Sequence, residues 1–205
     1  MEQTEVLINK FTSDFDVSRE TVDRLLLYRD LLLKWQRSTN LISPTTVNNV
    51  WERHFYDSAQ LFLLISDKEN PIFDLGSGGG FPGLVLAIMG ASMVHLIDSD
   101  HKKGIFLSEV IRRTQASAQV HSCRIEAFTP IQKATTITSR ACAPLTQLLD
   151  YTKPLLAENG ECLFMKGQGA EAEVDEAKSN HMFHVEHIAS RTHEEGHILR
   201  ITNLR

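Results

Sequence analysis

The stretch that most constrains the fold is Asp74-Leu75-Gly76-Ser77-Gly78-Gly79-Gly80-Phe81-Pro82-Gly83. It grows out of a short apolar run, Ile72-Phe73-Asp74-Leu75, which opens after the breaker pair Asn70-Pro71. It leads into Phe81–Met89, apolar at helical spacing, with Pro82 suited to a first helical turn. A strand that runs into glycines and out into a helix begins a βαβ unit. Glycines there permit a tight turn and let a ligand approach the backbone with no Cβ in the way. About 20 residues further on, at the spacing where nucleotide-binding folds place a ribose-binding acid, Asp98 ends a second strand, Val94-His95-Leu96-Ile97.

The alternation continues. His101–Thr114 reads as an amphipathic helix, Gln119–Ser122 as a third strand and Thr135–Ser139 as a fourth. Pro144–Leu156 reads as a helix, Glu161–Met165 as a fifth strand and Ala170–Lys178 as a helix. His184–Ile188 and Ile198–Leu204 are two late strands with too little chain between them for a parallel crossover, so they are expected to pair as an antiparallel hairpin. The pattern predicts an α/β fold with a mostly parallel seven-stranded sheet. Ahead of it, Ser18 is suited to cap a helix in which Val22, Leu25, Leu26, Tyr28, Leu32 and Leu33 recur at helical spacing up to Trp35. A looser helix over residues 2–12 precedes it, Thr39–Pro44 reads as a connector, and residues 45–65 read as helical again. The expected organisation is an N-terminal helical extension over residues 1–68 packed on a cofactor-binding domain over residues 69–205.

Two cofactor classes compete for the glycine turn. Gly78-x-Gly80-x-x-Gly83 satisfies the dinucleotide pattern. However, the glycines already start at Gly76, and the strand ends in Asp74, an acid that would sit near an anionic pyrophosphate. Near the ammonium and sulfonium of S-adenosyl-L-methionine the same charge is favourable. Asp-x-Gly-x-Gly-x-Gly is the usual first motif of Rossmann-like methyltransferases, so S-adenosyl-L-methionine is the expected cofactor. Asp98 is expected to accept hydrogen bonds from its ribose hydroxyls.

The net charge of −5 argues against a protein that grips nucleic acid by its global field and shifts attention to local Lys and Arg clusters. The three cysteines, Cys123, Cys142 and Cys162, form no Cys-x-x-Cys pair and read as reduced thiols. The polar start Met1–Glu5 lacks signal-peptide character, and no apolar run approaches the roughly 20 residues of a membrane span, so a cytoplasmic protein without membrane contact is expected. His181, His184 and His187 recur every third residue, but Val185 and Ile188 suggest a strand, which turns His184 away from the other two; no metal is expected.

Beyond the glycine turn, the chain resembles the bacterial 16S rRNA guanine-N7 methyltransferases, small-subunit methyltransferase G, also called glucose-inhibited division protein B. The resemblance rests on Leu33-Lys34-Trp35, Thr39-Asn40-Leu41-Ile42, Glu52-Arg53-His54-Phe55-Tyr56-Asp57-Ser58 and the glycine turn itself. It continues through Leu96-Ile97-Asp98-Ser99, Lys102-Lys103, Phe106-Leu107, Cys123-Arg124-Ile125-Glu126, Ser139-Arg140-Ala141 and Met165-Lys166-Gly167. The tail after Gly169 is similar only loosely. The resemblance implies a Rossmann-like class I methyltransferase acting on one guanine in the decoding-region loop of 16S rRNA. Its substrate would be the rRNA or the small ribosomal subunit, and the chain would act as a monomer. It implies cofactor contacts from Asp74, Gly76, Gly78, Phe81, Asp98, Ile125, Glu126 and Arg140. Arg140 would also position the target base, and Lys34, Arg53, His54, Lys102, Lys103 and Lys166 would contact RNA. Guanine N7 carries no proton, so the reaction requires no general base. The alternatives are a methyltransferase for another RNA, a protein or a small molecule, a nicotinamide-dependent oxidoreductase, and a non-catalytic RNA-binding module.

Overall fold

A computed structural model describes residues 2–205, so Met1, the first residue of the expected extension, lies outside the described residues. The N-terminal part contains α1 (Glu2–Phe15) and α2 (Arg19–Trp35). Ser18 caps α2 as its sequence position suggests, its hydroxyl accepting from Thr21 N at 3.1 Å. The connector after α2 is held by one side chain. Gln36 Oε1 accepts from Leu41 N (2.9 Å) and Ile42 N (3.0 Å), and its Nε2 donates to Ile42 O (2.8 Å).

Residues 45–65, expected as helical, divide into three windings: a 3₁₀ turn at Pro44–Asn49, a wide π-type turn at Trp51–Tyr56, and α3 (Asp57–Leu64). Pro44 lacks a donor, and Thr45-Thr46-Val47-Asn48-Asn49 are weak helix formers, so the regular ladder begins late. The wide turn carries Arg53 and His54 and runs directly into Asp57.

The sheet contains β1 (Ile72–Leu75), β2 (Val94–Ile97), β3 (Ala118–His121), β4 (Ala134–Arg140), β5 (Leu156–Lys166), β6 (His184–Ala189) and β7 (His197–Thr202) in the order β3-β2-β1-β4-β5-β7-β6. The first five strands are parallel. β7 runs antiparallel to β5, and β6 and β7 form the expected antiparallel hairpin. The helices are α4 (Gly83–Ile88), α5 (His101–Thr114), α6 (Leu145–Thr152) and α7 (Ala170–Lys178). α4 is shorter than expected because Phe81 and Pro82 belong to the turn. α6 stops before Leu156 because Pro154 has no N–H to continue the helical ladder past Lys153, and the next residues enter β5, where Leu156 pairs with Ala134. β5 is accordingly more than twice the expected length. Among the described residues, no helix is long and apolar enough to cross a membrane.

Two apolar clusters cover the two faces of the sheet. One joins Phe11, Leu25, Leu32 and Phe55 of the N-terminal part to Leu84, Leu96 and Phe106, while the other joins Leu148, Leu149 and Val174 to Phe73, Ile137 and Phe164. Tyr28 sits at the centre of the first. It is fully buried, stacks on Phe81 with ring centroids 5.3 Å apart, and donates its hydroxyl to Gly79 O. The glycine turn is therefore clamped from below by the N-terminal helices. Tyr28→Phe keeps the ring but leaves the buried Gly79 carbonyl without its donor. It should lower unfolding free energy by about 1–3 kcal/mol, read as a reduced urea midpoint with an unchanged slope.

Candidate active site

β1 pairs in parallel with both β2 and β4, so connections leave it in opposite directions and a crevice opens at the strands' carboxyl ends. The glycine turn and the end of β2 line that crevice. Gly76 (φ +70°) and Gly78 (φ +56°) take backbone conformations that side chains resist. At Gly76 a Cβ would also collide with Cys142, whereas at Gly78 it would meet only Gly76 O, at 3.8 Å, leaving that backbone face open. Asp98 staples the turn to β2: its Oδ2 accepts from Gly78 N (2.8 Å) and its Oδ1 from Asp100 N (2.9 Å). Asp100 in turn caps α5, accepting from Lys102 N (2.8 Å) and Lys103 N (3.3 Å).

The resulting cavity has a volume of about 680 Å³. Gly76, Gly78, Phe81, Asp98, Ile125, Glu126 and Arg140 all line it, as do Lys103 and His54. These residues, scattered through the sequence, thus meet at one crevice. Leu41, Ile42 and Ser43 form part of the wall, as do Cys142, Gln147 and Tyr151. The first three belong to the expected connector, Cys142 is expected only as a reduced thiol, and Gln147 and Tyr151 only as part of a helix. Their sequences carry turn and helix signals only, and proximity to the crevice comes from the fold.

Asp74 does not face this cavity. It is fully buried, with Oδ1 accepting from Thr138 Oγ1 (2.9 Å) and Oδ2 from Gly83 N (3.2 Å). The expectation of a cofactor-contacting acid is corrected to one that acts from beneath the loop. Burial, only partly offset by the bonds from Thr138 and Gly83, pushes its pKa up to about 6. The expected RNA-contacting lysines also separate. Lys34 and Lys102 are exposed and line neither this cavity nor the smaller one beside it. Lys166 is corrected: its side chain is 7% exposed and its ammonium donates to Glu173 (2.7 Å) and Ala143 O (2.8 Å), an internal tie between β5 and α7.

Arg140, at the end of β4, stands over the Phe81 ring at 5.0 Å. Its Nη1 donates to Arg53 O (3.2 Å) and its Nη2 lies 2.8 Å from His54 Nδ1. A guanidinium only donates, so Nδ1 accepts and the His54 proton is on Nε2, which donates to Thr46 Oγ1 at 2.7 Å. Thr46 passes its own proton to Ser43 O (2.8 Å). Burial and then the Arg140 charge push His54 down to about 3, so it is neutral and holds the arginine as an acceptor. His54, expected to contact RNA, is therefore turned inward to Arg140. The next residue, Ala141, has φ +51°, a strained conformation at the strand's end.

A ribosomal protein L11 methylase from Lactobacillus delbrueckii subsp. bulgaricus superposes with a TM-score of 0.62, at 16% identity, over 73% of this chain and 78% of that one. The strand order, the glycine turn and the acid after β2 make the Rossmann-like fold of class I methyltransferases. The family described as rRNA small subunit methyltransferase G matches residues 21–199. Proteins of that description from Rhodospirillum rubrum and Paramagnetospirillum magneticum are 46% and 49% identical to this chain. The first match covers 93% of this chain and 94% of the relative; the second covers 90% of each. The chain belongs to this family.

The raised pKa of Asp74 has a sign. Its ordinary value is 3.8, so its contribution to stability is full below that pH and is lost as pH rises through about 6. Asp74→Asn does not titrate. Its unfolding free energy relative to the native sequence should rise by about 2–2.5 kcal/mol between about pH 4 and about pH 7, measured by urea unfolding at each pH.

Proposed function

We propose that the chain transfers a methyl group from S-adenosyl-L-methionine to N7 of a guanine in the decoding-region loop of 16S rRNA. We further propose that it works as a cytoplasmic monomer on the rRNA or the small ribosomal subunit, with residues 1–68 roofing the site built by residues 69–205. The observation that carries this reading is a single cavity holding the glycine turn, the Asp98 carboxylate and the Arg140 guanidinium, in a chain of this family.

The residues present suit the cofactor. The open backbone at Gly78 lets a ligand approach closely, Asp98 offers a carboxylate to a ribose, and Ile97, Ile125 and Tyr151 give a base an apolar slot. When bound, S-adenosyl-L-methionine supplies an electrophilic methyl on a sulfonium. The protein's task is then positioning, because the N7 lone pair attacks without losing a proton. Asp98, held in place by Gly78 N and Asp100 N, would hold the ribose. Arg140 is held by the neutral His54 and by Arg53 O, and orients the base at the cavity's edge. Asp74 adds negative charge beneath the turn. Lys103 at the cavity, together with Arg53 beside it and the exposed Lys34 and Lys102, is available to phosphates, while the paired Lys166 is not.

Small-subunit rRNA from cells lacking the gene should lose one N7-methylguanosine, detected by mass spectrometry of nuclease digests; unchanged methylation would refute the assignment. Asp98→Ala should weaken S-adenosyl-L-methionine binding by about ten- to a hundredfold and leave RNA affinity nearly unchanged, as measured by separate titrations.

A further inference from the structure

A second cavity of about 220 Å³ shares Arg140 and Ala141 with the first. That is below the roughly 300–1,000 Å³ of sites for drug-sized ligands and is the scale of one heterocyclic base. Arg53, Asp57, Met165, Lys166 and His193 also line it. Asp57 is the acid among them, and its two oxygens are treated differently. Oδ1 accepts from Thr192 Oγ1 (2.5 Å), Gln60 Nε2 (2.8 Å) and Ser190 Oγ (3.3 Å), bonds that reach from α3 and from the β6–β7 connection. Oδ2 has no hydrogen bond among the described residues; Arg140 Nη1 stands 3.9 Å away, too far to donate. The carboxylate is thus fixed through one oxygen and offers the other to the cavity. Arg140 is in a similar condition, with hydrogen bonds to two acceptors from a group with five N–H donors.

This pair matches one nucleobase. Guanine carries donors at N1 and N2 along one edge and acceptors at O6 and N7 along another. A carboxylate facing N1–H and the N2 amino group, with a guanidinium on O6, leaves N7 next to Arg140 and open to the first cavity. Adenine would set its unprotonated N1 against the carboxylate and its amino group against the arginine. We propose that this second cavity receives the flipped-out target guanine and that Asp57 reads its N1–H and N2 donors, which makes Asp57 the specificity residue of the site. The inference rests on the rRNA-methyltransferase reading and deepens it.

The test uses small subunits reconstituted with 16S rRNA carrying guanosine or inosine at the target position. Inosine keeps N7, O6 and N1–H and lacks the N2 amino group. kcat/KM is measured for the native enzyme and for Asp57→Asn, each ratio being normalised to the rate at which dimethyl sulfate methylates the same N7. The native enzyme should prefer guanosine by about ten- to a hundredfold, the effect of one hydrogen bond to a charged group. Asp57→Asn should lose at least that much activity on guanosine and discriminate the two bases by less than about threefold, while binding S-adenosyl-L-methionine normally. Native discrimination that persists undiminished in Asp57→Asn overturns the proposal. If the variant fails to fold, equal native efficiencies on the two bases overturn it. A native enzyme inactive on guanosine refutes the methyltransferase reading itself, whereas one that is active but indifferent to the N2 amino group refutes only the role of Asp57.

Discussion

The buried carboxylate of Asp74 is the contact on which the site depends. It lies on β1, accepts from Thr138 on β4 and from Gly83 N at the start of α4, and so joins the two strands between which the crevice opens to the helix that follows the turn. There is no slack around it. A Cβ at Gly83 would stand 2.6 Å from both Asp74 Cβ and Leu96 Cδ2. Overpacking of that kind costs about 1–3 kcal/mol in an ordinary core and here would push directly on the turn. The position of Gly78 N, and through it that of Asp98, follows from this packing. An ionisable group raised to about 6 by burial is costly to hold, and that cost is met where backbone placement decides what the crevice accepts.

Arg140 does for the two cavities what Asp74 does for the turn. Its charge is almost enclosed, with Phe81 on one side, a neutral histidine and a backbone carbonyl as acceptors, and Asp57 opposite. Were His54 protonated, two cations would face each other at 2.8 Å; its low pKa keeps the contact attractive across the physiological range. The wide turn at Trp51–Tyr56 makes this geometry, since it delivers Arg53, His54 and Asp57 to one arginine from a short stretch of chain.

The parallel core was legible because its signals are local. The apolar run before the glycines, the 3.6-residue period of α5 and the short gap between the last strands each specify an element without reference to the rest. α5 falls at His101–Thr114 on both readings. The crevice membership of Gly76, Asp98 and Arg140 follows equally from strand ends. What stayed hidden required three dimensions. Tyr28 is one apolar position among many on α2, and only the packed fold aims its hydroxyl at Gly79. Asp74 reads as a ligand from its motif, yet Thr138 and Gly83 enclose it. Lys166 reads as a free cation until α7 brings Glu173 to it. The Asp57 cluster joins residues more than a hundred positions apart in sequence, and no local pattern announces it.

The same pairing resolves how a chain of net charge −5 engages a polyanion. Many of its cations are spent locally. Arg24 pairs with Glu20, Arg29 with Asp30 at 2.7 Å, and Arg112 with Glu109 at 2.9 Å, so the basic faces of α2 and of the end of α5 are largely neutral at a distance. Lys102 and Lys103 differ. They occupy the first turn of α5, where the helix dipole disfavours positive charge by about 0.3–1 kcal/mol, and Asp100 caps that turn. Helix stability does not place two lysines there, and neither forms an ion pair among the described residues. With screening over about 8 Å in physiological salt, exposed charges of this kind act at short range only. A member of an rRNA-methyltransferase family with this net charge gains nothing from long-range attraction, because its global field repels nucleic acid.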